Sequence, residues 1–173
     1  LYLSAKMIVN KFKGDFPSEY KEVLSLKGVG EYAAAAITSF AYDLPYAVLD
    51  GNVFRVLSRV FDIDDPIDSS IGKKIFRELS QSLLPKNNSA EYNQAIMEFG
   101  AIQCKPKNPD CQTCVLNNNC LSCSKGVIDQ RPVKSKKVKT RDRHFNYLIL
   151  RNKESCFLRK RVEKDIWQHL YEF

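Results

Sequence analysis

No run of 18 apolar residues occurs in the 173-residue sequence, so no transmembrane helix is expected. The first twelve residues are interrupted by Lys6, Asn10 and Lys11 and lack the apolar stretch of a secretory signal. There is no internal repeat, and no strand-type alternation before His144. The chain does not begin with Met and stops at Leu-Tyr-Glu-Phe inside a pattern, so it reads as a fragment of a longer protein. The expectation is an intracellular, largely helical protein.

Hydrophobic residues make up 44% of the chain, enough for one good-sized domain or one domain plus part of another. The net charge of +7 is uneven: Ser124 to Arg143 holds eight Lys or Arg against two Asp. Such a basic tract suits contact with polyanions and equally suits a solvated linker.

Leu3, Met7, Ile8 and Phe12 share one helical face. After the break at Asp15-Phe16-Pro17, Ser18 is placed to cap a short helix to about Ser25. Helices are expected over 31–42, from about 51 to Phe61, over 71–84 (Ile75, Leu79 and Leu83 on one face) and over 90–102. A change of composition marks a boundary near residue 140. Beyond it, Phe145-Asn-Tyr-Leu-Ile-Leu and Cys156-Phe-Leu-Arg-Lys-Arg, joined by a polar turn, predict a β-hairpin.

Two features carry chemistry. Leu26-Lys27-Gly28-Val29-Gly30 places two glycines between helices, permitting a tight hairpin with Val29 turned inward. The free N–H groups at the start of the helix from Glu31 make an anion site. With no nucleotide-binding strand before it, a nucleic-acid phosphate is the expected anion; the same residues also suit an ordinary turn. Asp50 then stands at the start of the next helix, where the positive dipole end favours its ionised form. Most aspartates so placed only cap.

Four of six cysteines read C-x6-C-x2-C-x5-C: Cys104, Cys111, Cys114 and Cys120. Four thiolates within 17 residues can enclose one metal centre. Structural zinc usually shows two C-x-x-C pairs, and these four contain one; compact all-cysteine ligation also suits a cubane iron–sulfur cluster. Disulfides fit less well beside an ample core. Cys123 and Cys156 fall outside the pattern and read as plain thiols. Lys105 and Lys107, between the first two cysteines, can present charge to a phosphate.

LKGVGEYAAAAI resembles the helix–hairpin–helix of DNA base-excision glycosylases, VLDGNVFRVLSR resembles the loop and aspartate that follow it, and the cysteine spacing is similar to the [4Fe–4S] loop of the endonuclease III branch. Two places after the second hairpin glycine, where lyases of that branch carry a lysine nucleophile, this chain has Tyr32, similar to the adenine glycosylases of the MutY type. The resemblance implies an all-α helix–hairpin–helix glycosylase domain with an iron–sulfur loop, followed by the start of an α+β Nudix-like domain. The implied ranges are a partial glycosylase domain over 1–123 with its cluster loop at 104–120, a basic linker over 124–143, and a truncated Nudix-like segment over 144–173.

The implied activity is monofunctional hydrolysis of the N-glycosidic bond of adenine mispaired with 8-oxoguanine or guanine. Asp50, Tyr32 and Asn52 are the implied catalytic residues. Lys27, Gly28, Val29, Gly30, Lys105 and Lys107 would contact DNA, Cys104, Cys111, Cys114 and Cys120 would hold a [4Fe–4S] cluster, and an alkali cation would sit at the hairpin. The implied partner is double-stranded DNA with an adenine mispair, bound by a monomer inside the cell, in the cytoplasm or nucleoid if the source is bacterial. The family's general acid is a glutamate N-terminal of these residues; Glu19, Glu22 and Glu31 stand in no matching context, so the chain alone is expected to be inactive. Two alternatives remain: another glycosylase of the branch, acting on a mismatch or an oxidised pyrimidine, and a non-catalytic helix–hairpin–helix module.

Overall fold

The computed structural model describes residues 1–135 and 141–173. The chain divides into two compact units, Leu1–Lys137 and Val138–Phe173. The first unit is built from helices α1 (Tyr2–Phe12), α2 (Tyr20–Leu24), α3 (Glu31–Tyr42), α4 (Gly51–Val60), α5 (Ser70–Leu83), α6 (Ser89–Ile102) and the single turn α7 (Leu121–Ser124). Their order follows the sequence reading closely. One difference is at α2, where Glu19 rather than Ser18 is the N-cap residue. None of these helices is long and apolar enough to cross a membrane.

The core forms around α4. Val53, Leu57 and Phe76 are buried, with Leu49, Phe54, Ile63, Ile67, Leu79, Ile96 and Met97 packed on them. Burying each of the three contributes about 1.5–3 kcal/mol. Phe54 meets Phe76 edge-on at 5.2 Å. The helix α3 packs on both α2 and α6, and α4 lies against α5 and α6. The alanine run works as expected, since Ala34 and Ala35 are buried and let neighbouring helices come close. No residue of α1 is buried, and Tyr2, Leu3 and Val9 stand exposed.

The expected linker does not begin at 124. Ile67 N–H donates to the Val133 carbonyl at 3.0 Å, Ser135 N–H and Oγ donate to Asp68 at 2.8 and 2.9 Å, and Arg59 Nε donates to the Ile128 and Arg131 carbonyls. Residues 124–135 are therefore part of the first unit. Their basic charge is spent partly inside it: Lys125 and Arg131 both pair with Asp62, at 2.8 and 2.9 Å. Residues 136–140, the middle of that expected linker, lie outside the described residues.

The hydrogen bond from Lys125 is the main cause holding the Asp62 carboxyl below the usual carboxylate range; burial opposes it, and Arg131 and Ser122 reinforce it. A depressed folded-state value stabilises the fold above the unfolded value near about 4 and ceases to do so as pH falls through the folded value. The stability gap between the native chain and an Asp62→Asn variant, measured by urea unfolding, is thus expected to be constant above about pH 5 and to close below about pH 4. A gap unchanged down to pH 2 would contradict this.

The second unit contains two separate two-stranded antiparallel sheets: β1 (Arg151–Asn152) with β2 (Ser155–Cys156), and β3 (Arg159–Lys160) with β4 (Tyr171–Glu172). The expected hairpin exists, but its first strand is not Phe145–Leu150; only the Leu150 carbonyl, accepting from Phe157 N–H at 3.1 Å, extends it. Leu148, Ile149 and Leu150 are at least half exposed, and a two-stranded ribbon with nothing to cover its apolar face is marginal.

Candidate active site and cysteine cluster

The Gly28–Gly30 corner has the expected conformation. Gly28 has φ 86°, open to glycine at little cost, and Gly30 is the N-cap residue of α3. Val29 N–H closes the turn on the Leu26 carbonyl at 3.1 Å. The inward anchor of this corner is Leu26, which is buried with Val23, while Val29 is only half-buried. The N–H groups of Gly28, Gly30, Glu31 and Tyr32 have no acceptor among the described residues, which is the open donor array of a helix start. Lys27 is exposed beside it.

Asp50 is held at the other side of α3. Asn93 of α6, fully buried, receives Val48 N–H at 3.0 Å and donates to the Ser39 hydroxyl at 2.8 Å and the Tyr46 carbonyl at 2.9 Å. That fixes the approach of the chain to Asp50. Asp50 Oδ1 accepts from Asn52 N–H at 2.9 Å and Val53 N–H at 2.8 Å, capping α4. Among the described residues its Oδ2 accepts only from Asn52 Nδ2, at 2.9 Å. A carboxylate has about four lone-pair sites, two on each oxygen. Oδ1 is filled, and Oδ2 keeps one free. A cleft of about 520 Å3 has both Leu49, next to Asp50, and Glu31, next to Gly30, on its wall. Asp50, Asn52, Tyr32 and the Gly28–Gly30 corner are not themselves on that wall.

Tyr32 is 48% exposed, and the structure does not bring its hydroxyl into hydrogen-bond contact with Asp50. Glu31 is ion-paired with Arg77.

Two arginines of α4 that sequence reasoning passed over tie Asp50 to the cysteine segment. Arg55 Nη2 donates to Asn52 Oδ1 at 2.8 Å and to the Gly100 carbonyl, and its Nε donates to the Cys104 carbonyl at 2.7 Å. A hydrogen-bonded path therefore runs Asp50–Asn52–Arg55–Cys104. Burial, with Arg59 nearby, lowers the Arg55 pKa, and Cys104 and Asp50 act against that. Gly100 is required for this contact, because a Cβ there would lie 2.7 Å from Asn52 Cβ. Arg59, 1% exposed, donates to the Lys105 carbonyl at 2.7 Å, the Pro106 carbonyl at 3.2 Å and Cys104 Sγ at 3.4 Å, besides the Ile128 and Arg131 carbonyls. The hint in the sequence was two arginines four apart on a helix whose other sides are apolar.

Cys104, Cys111, Cys114 and Cys120 line one small cavity with Arg59, and all six cysteines are free. Cys123, set aside from sequence, lines it as well. Cys120-Leu-Ser-Cys123 is a second C-x-x-C pair, which the C-x6-C-x2-C-x5-C reading overlooked. Cys156 is exposed in the other unit. Burial first, then the Cys123, Cys104 and Cys114 thiols, push the Cys111 thiol up to about 11. Thiols crowded this way suit a cation that takes their protons' place. Among the described residues no three His, Cys, Asp or Glu converge closely enough for a single metal ion; the thiols surround a space instead. Lys105 and Lys107 are exposed on the loop between Cys104 and Cys111.

No family model matches the chain. An adenine DNA glycosylase of Buchnera aphidicola (subspecies Baizongia pistaciae) is 35% identical over 174 residues, covering 100% of this chain and 49% of the relative. The chain is similar along its whole length to adenine DNA glycosylases, and it spans about half the length of those curated relatives. Among solved structures, a thermostable thymine-DNA glycosylase is similar with TM-score 0.65 and 31% identity, over 71% of this chain and 56% of that one. A non-covalent endonuclease III–DNA complex is similar with TM-score 0.58 and 26% identity, over 70% and 55%. The adenine DNA glycosylase likeness thus extends through Val138–Phe173, whereas these two structures leave more than a quarter of the chain uncovered.

Proposed function

We propose that these residues carry the carboxylate and the DNA clamp of a monofunctional glycosylase that hydrolyses the N-glycosidic bond of adenine mispaired with 8-oxoguanine or guanine. The observation that carries this is the Asp50 carboxylate, oriented by Asn52 and Val53 with one Oδ2 lone pair left over, in a chain aligned end to end with an adenine glycosylase.

The adenine is extruded from the duplex. The open N–H groups of Gly28 and Gly30, with Val29 between them and Lys27 beside them, hold a backbone phosphate, with an alkali cation shared at the corner. Lys105 and Lys107 take a second phosphate. As the glycosidic bond breaks, its electron pair leaves with adenine and positive charge builds on the sugar. The free lone pair of Asp50 Oδ2 stabilises that charge, or bonds to the sugar carbon until water replaces it. Asn52 keeps Oδ2 pointed, and Arg55 keeps Asn52 pointed. Tyr32 lies at the position where a lyase needs an amine.

A [4Fe–4S] cluster held by Cys104, Cys111, Cys114 and Cys120 would fix the loop that presents Lys105 and Lys107 to DNA. All four thiols line one cavity, and their C-x6-C-x2-C-x5-C spacing supports a cubane. The proton for adenine comes from a carboxyl group outside the 173 residues, the glutamate implied by the family. Glu31, exposed and paired with Arg77, stands in no matching context for that role. The purified 173-residue chain is accordingly expected to bind duplex DNA and release no adenine; release at the rate of a full-length relative would overturn this.

Tyr32 also gives a direct test. No Schiff base forms without an amine, so borohydride added during turnover by a full-length protein containing these residues is expected to trap no protein–DNA adduct. A trapped adduct would favour a lyase of the endonuclease III kind. The thymine-DNA glycosylase likeness keeps a mismatch glycosylase as the second reading; release of thymine rather than adenine from mispaired duplexes would decide for it.

A further inference from the structure

We propose that Gln81 and Asn93 are positioning residues for adenine release, acting as a two-sided amide clamp on the segment that leads into Asp50. The proposal rests on the glycosylase reading above and adds residues outside the Asp50–Asn52–Arg55 set. Residues 45–48 belong to no helix or strand, so no ladder pairs their backbone groups. Two side-chain amides take its place. On one edge, Asn93 of α6 accepts from Val48 N–H at 3.0 Å and donates to the Tyr46 carbonyl at 2.9 Å. On the other edge, Gln81 of α5 accepts from Ala47 N–H at 3.1 Å and donates to the Pro45 carbonyl at 2.9 Å. Residues 46 and 48 thus face one amide, and residues 45 and 47 the other. This is the alternation of a strand held between two neighbours.

A carboxamide suits both places because it carries an acceptor and a donor side by side, as a peptide group does. A carboxylate lacks the donor, and an apolar side chain lacks both. Asn93 is 1% exposed, and its Nδ2 also donates to the buried Ser39 hydroxyl at 2.8 Å, so α3 is tied to the same point. The Asn52 and Val53 N–H bonds set the Asp50 carboxylate only against its own helix, α4. The clamp sets where the chain enters that helix, relative to α3, α5 and α6. Asp50 lies two residues beyond Val48, so a shift of the clamped segment carries over to its carboxylate. A misplacement of about 1 Å at a reacting group can cost about 100-fold in rate. Freeing one edge of the segment while the other stays held is a smaller disturbance, and freeing the buried edge a larger one.

The test uses a full-length protein containing these residues, with the variants Gln81→Met and Asn93→Leu and the exposed neighbour Ser82→Ala as control. Gln81→Met keeps the length and helix propensity of the side chain and removes both of its hydrogen bonds. Amide hydrogen exchange at Ala47 reads the clamp, and single-turnover adenine release and duplex affinity read its consequence. Gln81→Met is expected to speed Ala47 exchange at least about 10-fold and to slow release about 10-fold, with affinity within about 2-fold of native. Ser82→Ala is expected to match native in all three. Asn93→Leu is expected to slow release about 100-fold or more; because Asn93 is buried that variant can fail to fold, and the exposed Gln81 then decides. Unchanged Ala47 exchange in Gln81→Met overturns the clamp. Faster exchange with release unchanged, while Asp50→Asn stops release, overturns the positioning role and leaves the glycosylase reading intact. Rate and affinity falling in step would make Gln81 a structural residue and overturn the role as well. A native protein that releases no adenine overturns both.

Discussion

Replacing Arg59 by alanine is expected to lower the unfolding free energy by about 3–5 kcal/mol and to empty the cysteine site. The side chain is buried and donates to four carbonyls and one sulfur. Hydrogen bonds from a charged donor contribute about 1.5–3 kcal/mol each, far from additively. Their loss leaves the Lys105, Pro106, Ile128 and Arg131 carbonyls facing a cavity too narrow to hydrate them all. The two chain segments that Arg59 joins, around Cys104 and after Cys123, then separate. Lysine is not expected to rescue, because an ammonium cannot reach in several directions from one fixed plane. Arg77, whose pairing with Glu31 is exposed, is the control, with an expected loss below about 1 kcal/mol. Urea unfolding and iron content read both variants. A loss at Arg59 no larger than at Arg77, with iron retained, would show that the segment is held in some other way.

Asp50→Asn, in a full-length protein containing these residues, is expected to slow adenine release at least about 1000-fold under single-turnover conditions, about 4 kcal/mol in barrier, with DNA affinity within a few-fold of native. Asparagine is as good an N-cap as aspartate, so its oxygen can still receive Asn52 and Val53 N–H and α4 is kept. Its amide nitrogen, however, faces the Asn52 Nδ2 that Oδ2 now receives. Two donors meet, and the negative charge is gone. Asn52→Ala removes the orienting amide alone and is expected to give a smaller fall, about 10- to 100-fold. Normal turnover by Asp50→Asn would leave Asp50 as a helix cap and favour the binding-module reading.

What was legible in the sequence was local. Gly28 and Gly30 announce a turn, and Asp50 before an apolar helix announces a cap; both rules act over a few residues, and the structure follows them. Arg55 and Arg59 were illegible as structural residues because most of their acceptors on other elements are backbone carbonyls 45 or more positions away, and carbonyls leave no mark in a sequence. Asn93 was missed for the same reason, its partners lying on α3 and its following loop. Cys123 was missed through attention to one spacing, although the second C-x-x-C was visible. The Phe145–Leu150 strand failed from the opposite cause: among the described residues it has no partner strand, and although Phe145 packs near Trp167, Leu148, Ile149 and Leu150 stay at least half exposed.

The central claim is that negative charge at position 50 stabilises positive charge on a sugar, and the most direct measurement compares two DNA duplexes. In one, the target nucleotide is replaced by a cationic pyrrolidine that mimics the charged sugar; in the other, by a neutral tetrahydrofuran. Since a site complementary to the transition state binds its mimic at least about 100-fold more tightly, the full-length protein is expected to prefer the cationic duplex by that margin, and Asp50→Asn to bind both alike. Equal binding of the two duplexes by the native protein, or a preference that survives Asp50→Asn, would contradict the account.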